Sequence, residues 1–231
     1  MSKLGVVIVA AGRGSRMKTQ ESKQYLLLQG KPVIVHTLEV FEASPEVDEI
    51  VLVVGEQDVD RCKGYVAQYG IGKVISVTAG GSERQHSVYR GLECLSTEWV
   101  MVHDGVRPFV KREDLIRCLD GARETGAAVL AVPVKDTIKV VGDNGVITAT
   151  PDRRSLWAIQ TPQAFRRLEL LKAHESAESE GFLGTDDAML AERAGMQVRV
   201  VEGDYTNIKL TTPEDLDWAE FILGKRGEDC R

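Results

Sequence analysis

Cysteine is scarce in this chain, and the four present (Cys62, Cys94, Cys118 and Cys230) lie far apart. There is no CxxC pair and no nearby Cys/His cluster. That excludes a zinc or disulfide framework and leaves free thiols in a reducing compartment. Aromatic residues make up only 6%, and no apolar run approaches the roughly 18 residues that a membrane helix needs. An excess of positive charge is missing too: 29 Lys+Arg face 35 Asp+Glu, for a net charge of −6. This argues against a broad nucleic-acid or anionic-membrane surface, so neither a nucleic acid nor a membrane is expected as partner, although a local basic pocket is compatible with it. Internal repeats and low-complexity linkers are absent. What is there, 231 residues with 43% apolar and 28% charged content, fits a single folded domain over 1–231. A chain of this size buries roughly 70% of its unfolded surface and needs no staples.

The N-terminus imitates a secretion signal, with Lys3, the apolar run Leu4–Val9 and then Ala10-Ala11. The run is short, however, and a glycine- and arginine-rich loop follows at once, so a buried first strand explains the same residues better. No transit peptide is seen. The expected location is the cytoplasm, or the plastid stroma in a plastid-bearing organism.

Short apolar runs alternate with helical patterns along the chain. Leu4–Val9, Glu49–Val54, Val74–Thr78, Trp99–Val102, Ala127–Val132 and Val198–Val201 are rich in β-branched residues and nearly uncharged, as strands covered on both faces should be. Between them, Val33, Ile34, Thr37, Leu38 and Phe41 repeat at helical spacing. So do Val59, Cys62, Val66 and Tyr69, then Val88, Leu92 and Leu95, and then Leu115, Leu119 and Ala122. Such alternation predicts an α/β fold with an open, mostly parallel, Rossmann-like sheet and helices on both faces. Thr212-Pro213-Glu214-Asp215 opens a last helix, and Gly224 is expected to close it.

One segment, 133–161, shows no helical face. There Thr137–Val141 and Val146–Thr150 flank Gly142-Asp143-Asn144-Gly145, a hairpin signal. An isolated hairpin is marginal in water, so Ile138, Val140, Val141, Val146 and Ile147 need a cover. Either the segment folds back on its own domain, or it is an arm that embraces a second subunit.

In open parallel sheets ligands bind at the carboxyl ends of the strands. The first loop there runs Ala10-Ala11-Gly12-Arg13-Gly14-Ser15-Arg16-Met17-Lys18. Its small residues admit close backbone approach, successive N–H groups can form an anion nest, and Arg13, Arg16, Lys18 and Lys23 suit phosphate. The P-loop pattern GxxxxGK[ST] is not matched. A dinucleotide fingerprint is broken where Met17 replaces the third glycine, and four cations in eleven residues are unusual for a plain surface turn. A loop for a nucleoside triphosphate remains.

This loop is followed by Lys23-Gln24-Tyr25, and then by the stretches Gly80–Val88, His103–Pro108, Leu156-Trp157 with Gln160-Thr161-Pro162-Gln163, and Asn207-Ile208-Lys209. In this order they resemble the 2-C-methyl-D-erythritol 4-phosphate cytidylyltransferases of the non-mevalonate isoprenoid pathway. The resemblance spans nearly the whole chain. It departs in one place: where the family often reads R-M-G and P-K-Q-Y, this chain has Arg16-Met17-Lys18 and Ser22-Lys23-Gln24-Tyr25.

The resemblance implies that the phosphate of methylerythritol phosphate attacks the α-phosphorus of CTP, with Mg²⁺ on the triphosphate and a homodimer whose hairpin arms interlock. An anionic nucleophile needs no general base, so positioning and fixed positive charge should carry catalysis. Arg16 and Lys23 are the candidate catalytic cations of the loop, and Lys209 joins them by resemblance. Nucleotide contacts are implied for Ala10, Ala11, Gly12, Gly81, Ser82 and Ser87, with Gly14 in the same loop. Gly80-Gly81 also reads as an ordinary strand-to-helix turn. Asp104, at the end of an apolar strand, suits a metal or a ribose hydroxyl, or else caps the next turn. Arg107 clamps a phosphate or simply pairs with Asp104. The resemblance puts both near the reacting groups, and it assigns the acceptor phosphate to Thr137 and Arg153 from the neighbouring arm with Thr161 and Lys209 from the main body. His103 reads as a packed side chain. Thr185-Asp186-Asp187 lies near the site or is an N-cap with first-turn acids. Two alternatives stay open: a ribitol 5-phosphate cytidylyltransferase, whose first loop tends to read Leu-Ala-Gly-Gly, and a catalytically silent nucleotide-binding regulator.

Overall fold

In the computed structural model the described residues are 3–12 and 21–229, with the side chains of 226–229 left aside. The chain begins with β1 (Leu4–Ala10), a 3-10 turn at Lys23–Tyr25, the short strands β2 (Leu27–Leu28) and β3 (Lys31–Pro32), and α1 (Val33–Glu42). It continues through β4 (Glu49–Val54), α2 (Val59–Gln68), β5 (Val74–Ala79), α3 (Arg84–Glu93), β6 (Trp99–Asp104), α4 (Arg112–Thr125) and β7 (Gly126–Pro133). The hairpin strands β8 (Val140–Val141) and β9 (Ile147–Ala149) follow. Next come β10 (Trp157–Arg166), α5 (Arg167–Ser179), α6 (Asp187–Arg193), β11 (Gln197–Glu202) and α7 (Pro213–Asp229).

Seven strands form one sheet in the order β11-β7-β10-β6-β1-β4-β5. All pairs are parallel except those of β10, which runs antiparallel to both β6 and β7. The alternation of β1 shows how the sheet sorts its side chains. Leu4, Val6 and Ile8 pack with Ile34, Leu38 and Phe41 of α1 and Leu115 of α4 on one face. Val7 packs with Val88 and Leu92 of α3 and Leu170 of α5 on the other. This is the open α/β architecture that the alternation of patterns implies.

Three local expectations need correction. The runs at 74–78 and 198–201 are not covered on both faces: β5 and β11 are the two edges of the sheet, and Ile75 is 53% and Val200 42% exposed. Gly224 does not close the last helix, because α7 continues through it to Asp229; a helix tolerates an interior glycine at a cost of about 1 kcal/mol when its apolar face is packed. The start is as expected, with Asp215 accepting from the backbone N–H groups of Thr211 and Thr212. Finally, Trp157–Thr161 does not belong with the hairpin but opens β10 inside the main sheet. The paired part of the hairpin is short, Val140-Val141 against Ile147–Ala149, and Ile138, Val140, Val141, Val146 and Ile147 are all exposed in the single chain.

Helix α3 lies close on β1 because Gly91 faces the sheet. A Cβ there would sit 2.4 Å from Val7 Cγ1 and 3.1 Å from Val53 Cγ2. Neither neighbour can retreat inside a packed core. Gly91→Ala is expected to lower the unfolding free energy by about 1–3 kcal/mol, measured by urea denaturation; an unchanged midpoint would contradict this packing.

Candidate active site

The carboxyl ends of β1, β5 and β6 open into a cleft of about 290 Å³. It is lined by Ala10, Ala11 and Gly12 after β1, by Lys23 and Gln24, by Gly81, Ser82 and Ser87 after β5, by Asp104 at the end of β6, and by Lys209 from far along the chain. The start of the loop after β1 is tied down by Gln24, whose buried amide donates to Ala10 O at 2.8 Å and Gly12 O at 3.4 Å. That bond explains why a glutamine follows Lys23: it fixes the backbone on which the lysine stands. Behind it, Tyr25 is buried, with its hydroxyl 3.5 Å from Cys62 Sγ.

The opposite wall is built by close approach. A Cβ on Gly80 would lie 2.6 Å from both Ala11 Cβ and Ser87 Oγ, and one on Gly81 would lie 2.4 Å from His86 Cβ. Only glycine lets the loops after β1 and β5 come this near. Ser87 then accepts from Gly81 N–H at 3.1 Å and donates to Glu83 O, so the hydroxyl shapes the turn that faces the cleft.

Asp104 is the electrostatic centre. Its Oδ2 lies 2.9 Å from Lys209 Nζ and 3.4 Å from Arg107 Nε, and its Oδ1 is 3.6 Å from Arg84 Nε. Burial works against its charge, but Lys209, Arg84 and Arg107 outweigh it and hold the carboxyl well below the usual carboxylate range. Its backbone is fixed as well: Asp104 N–H donates to Thr161 Oγ1 at 3.0 Å. The buried His103 faces the Arg107 carbonyl with Nε2 at 3.0 Å and Thr161 Oγ1 with Nδ1 at 3.1 Å. A carbonyl can only accept, so Nε2 carries the proton and Nδ1 accepts from the threonine hydroxyl. Both ring nitrogens are engaged in scaffolding, as a packed histidine requires.

Lys209 is delivered by a second brace. Buried Asn207 donates to Gln160 Oε1 at 3.1 Å and to Thr161 O at 2.9 Å, while Gln160 donates to Asp204 O and Arg107 Nη1 donates to Asn207 O at 2.7 Å. The Gln160-Thr161 pair on β10 therefore holds both the Asp104 strand end and the 204–209 loop.

Of the residues read from the sequence, Ala10, Ala11, Gly12, Lys23, Gly81, Ser82, Ser87, Asp104 and Lys209 share one cleft. Arg107 stands at its edge, on Asp104, and the Thr161 hydroxyl lies behind it. Thr137 and Arg153 are exposed and do not line this cleft; Arg153 donates to Lys135 O at 2.6 Å. Gly14 and Arg16 fall outside the described residues. Sequence reading passed over Arg84, which lines the cleft and bridges Asp104 to the buried Asp187. The signal available was its place in Gly80–Val88, at the start of a helix, where a cation is electrostatically unwelcome.

The donor set can be tested against a divalent cation. No group of three or more His, Cys, Asp or Glu side chains able to hold a metal exists among the described residues. Asp104 already faces three cations, so a cage of protein ligands is ruled out there. An Mg²⁺ that arrives with phosphate oxygens and takes one carboxylate does fit, because that ion is commonly held by few protein ligands.

An open α/β sheet whose strand ends form a cleft with lysines from opposite ends of the sequence beside one buried aspartate is the architecture of a nucleotidyltransferase. The comparisons make the class specific. Residues 4–225 match the family described as IspD: 2-C-methyl-D-erythritol 4-phosphate cytidylyltransferase. The chain is 50% identical over 234 residues to the 2-C-methyl-D-erythritol 4-phosphate cytidylyltransferase of Alkaliphilus metalliredigens, covering 99% of this chain and 97% of that one. It is 53% identical over 220 residues to the enzyme of the same name from Bacillus velezensis, covering 94% of each. Among solved structures, the 4-diphosphocytidyl-2C-methyl-D-erythritol synthase of Anaerococcus prevotii superposes with a TM-score of 0.85 at 35% identity, covering 96% of both chains. The chain belongs to the 2-C-methyl-D-erythritol 4-phosphate cytidylyltransferase family.

The engaged, neutral His103 has a consequence for stability. Burial pushes its pKa from 6.5 down to about 4, partly opposed by its backbone bond at Arg107. The unfolded chain therefore binds this proton first, and the contribution of His103 is complete above pH 6.5 and lost as pH falls towards 4. The loss is on the order of 3 kcal/mol. Urea denaturation between pH 7 and pH 4.5 should show this slope, and His103→Gln should flatten it; an equal slope in the variant would count against the assignment.

Proposed function

We propose that the cleft joins CTP to 2-C-methyl-D-erythritol 4-phosphate, and that the observation carrying this reading is the convergence of Lys23, Lys209 and Asp104 in one cleft at the strand ends. A phosphate oxygen of the acceptor forms a bond to the α-phosphorus, the bond from that phosphorus to the bridging oxygen breaks, and pyrophosphate leaves with the electron pair. No proton has to be moved, since the nucleophile is already an anion. The difficulty is the meeting of two polyanions, and fixed positive charge in a partly dry cleft answers it. In this reading Lys23 serves the triphosphate and Lys209 the acceptor phosphate, with Arg16 of the first loop as a further cation. Arg107, held on Asp104, adds charge at the same rim. Mg²⁺, when bound, would be held by Asp104 and phosphate oxygens and would draw charge from the triphosphate.

Ala10, Ala11, Gly12, Gly81 and Ser82 line the cleft, and their small side chains leave room for a pyrimidine, which supports cytidine as the base. Ser87 lines the same wall and fixes the turn at Gly81. We read residues 1–231 as one nucleotidyltransferase domain and the hairpin within 133–161 as a dimerisation arm. The five exposed aliphatic residues of the hairpin need a cover, and a second copy provides it while bringing Thr137 and Arg153 to the partner's acceptor site. A cytoplasmic location fits the three described cysteines, Cys62, Cys94 and Cys118, all free thiols. No helix among the described residues is long and apolar enough to cross a membrane.

Pyrophosphate release on mixing CTP, Mg²⁺ and methylerythritol phosphate tests the reading, with ribitol 5-phosphate as the discriminating acceptor; turnover with ribitol phosphate alone would replace it. Lys23→Ala should lower kcat by about 10²–10³ while the KM for CTP changes less, because the lysine acts on charge that develops in the transition state. Near-normal turnover would remove Lys23 from the mechanism. Val141→Asp with Ile147→Asp should give a monomer that has lost activity, followed by analytical ultracentrifugation and by assay. A fully active monomer would show that the site is not shared between subunits.

A further inference from the structure

Arg84 is the first residue of α3, at the positive end of the helix dipole, where a cation is disfavoured. It is nevertheless brought into the nucleotide cleft, and a second carboxylate holds it there. Arg84 Nη1 lies 2.6 Å from Asp187 Oδ2, and the other oxygen of Asp187, Oδ1, lies 3.1 Å from His174 Nε2. Asp187 and His174 are each only 1% exposed. Burying a carboxylate this completely is costly unless both of its oxygens are engaged, and here both are. Among the described residues His174 Nδ1 has no hydrogen-bond partner, so the polar contact of the ring is the one to Asp187, and a carboxylate partner places the imidazole proton on Nε2.

Helix capping does not explain Asp187. The N-cap of α6 is the adjacent Asp186, whose Oδ1 accepts from Met189 N–H at 2.9 Å. The segment leading to α6 is fixed from two further sides: Gln85 of α3 accepts from Gly184 N–H at 2.9 Å, and Gln163 of β10 donates to Asp186 Oδ2 at 2.8 Å and accepts from Ala188 N–H. The capping role is filled and the backbone is immobilised, which leaves the Asp187 carboxylate to Arg84.

We propose that Asp187, oriented by His174, is a positioning residue that pins the Arg84 guanidinium between two carboxylates and so keeps Asp104 turned towards Lys209. Arg84 faces Oδ1 of Asp104 and Lys209 faces Oδ2, so an Arg84 released from Asp187 would no longer fix which oxygen meets the lysine. The line His174–Asp187–Arg84–Asp104–Lys209 thus connects the buried face of α5 to the cleft. This inference rests on the cytidylyltransferase reading for its substrates, and wild-type turnover with CTP and methylerythritol phosphate tests that reading separately.

The experiment is a double-mutant cycle on the full-length protein, read as kcat/KM for CTP and, independently of turnover, as CTP affinity by calorimetry. Asp187→Asn should lower kcat/KM for CTP about 10- to 50-fold, with the KM for the polyol phosphate within about threefold. Arg84→Gln should cause a loss at least as large, and the double variant should be no worse than Arg84→Gln alone, because residues acting in series are not additive. Losses that multiply in the double variant, or an Asp187→Asn enzyme within twofold of wild type by both measures, overturn the proposal. Should Asp187→Asn fail to fold, His174 decides. His174→Gln keeps a donor near Nε2 and should retain most activity, whereas His174→Leu should show the Asp187→Asn defect. Equal behaviour of these two variants also overturns it.

Discussion

A single buried carboxylate, that of Asp104, holds the site together. Lys209, Arg107 and Arg84 come from three different segments and would repel one another if brought together alone. Asp104 between them and Asp187 behind Arg84 offset two of the three positive charges and leave a surplus of one at the cleft, beside Lys23. This is the charge distribution that two meeting phosphates need: strong enough to attract them, and fixed before they arrive. The same carboxylate aligns the end of β6 with the 204–209 loop and with the start of α3, so the charge of the cleft and tertiary order depend on the same contact.

Behind this centre the polar residues of the interior are joined by hydrogen bonds. Thr161 links the Asp104 backbone to His103, Gln160 and Asn207 link β10 to the Lys209 loop, and Gln163 links β10 to the turn before α6. Buried polar groups are tolerated when paired, and a connected set restricts the arrangements open to it; Asn207 Oδ1 is the one atom of this set left without a partner among the described residues. The antiparallel strand β10 is the member that reaches all of these elements. Its Gln160-Thr161-Pro162-Gln163 stretch therefore serves as the brace of the site more than as a part of the cleft lining.

Much of this was legible in the residue order, and the exceptions have physical causes. The strand β1 and the helices over Val33, Val59, Val88 and Leu115 follow from apolar periodicity, since a face that must be buried has to repeat at the period of its element. The edge positions of β5 and β11 were not legible, because an edge strand and a central one have similar β-branched composition and differ only in what lies beside them. Helix α5 buries Leu170, Ala173, His174 and Ala177, a face of mostly small residues that gives a weak signal. Gly224 resembled a helix stop, yet glycine stops a helix only where the chain must turn left-handed, as Gly126 does after α4 at φ 93°.

Local patterning and short motifs by themselves determined the α/β class, the phosphate-suited first loop, the family and most of the residues at the strand ends. All of these depend on neighbours in sequence or on residue chemistry. Only the tertiary structure decided that Arg84 stands between Asp104 and Asp187, that Thr161 and His103 brace the Asp104 strand end, and that Asp187 is buried against His174 instead of capping a helix. Those roles depend on distances between segments from thirteen to about a hundred residues apart. Such distances are set by how the sheet orders its strands, and spacing along the chain carries no record of that order.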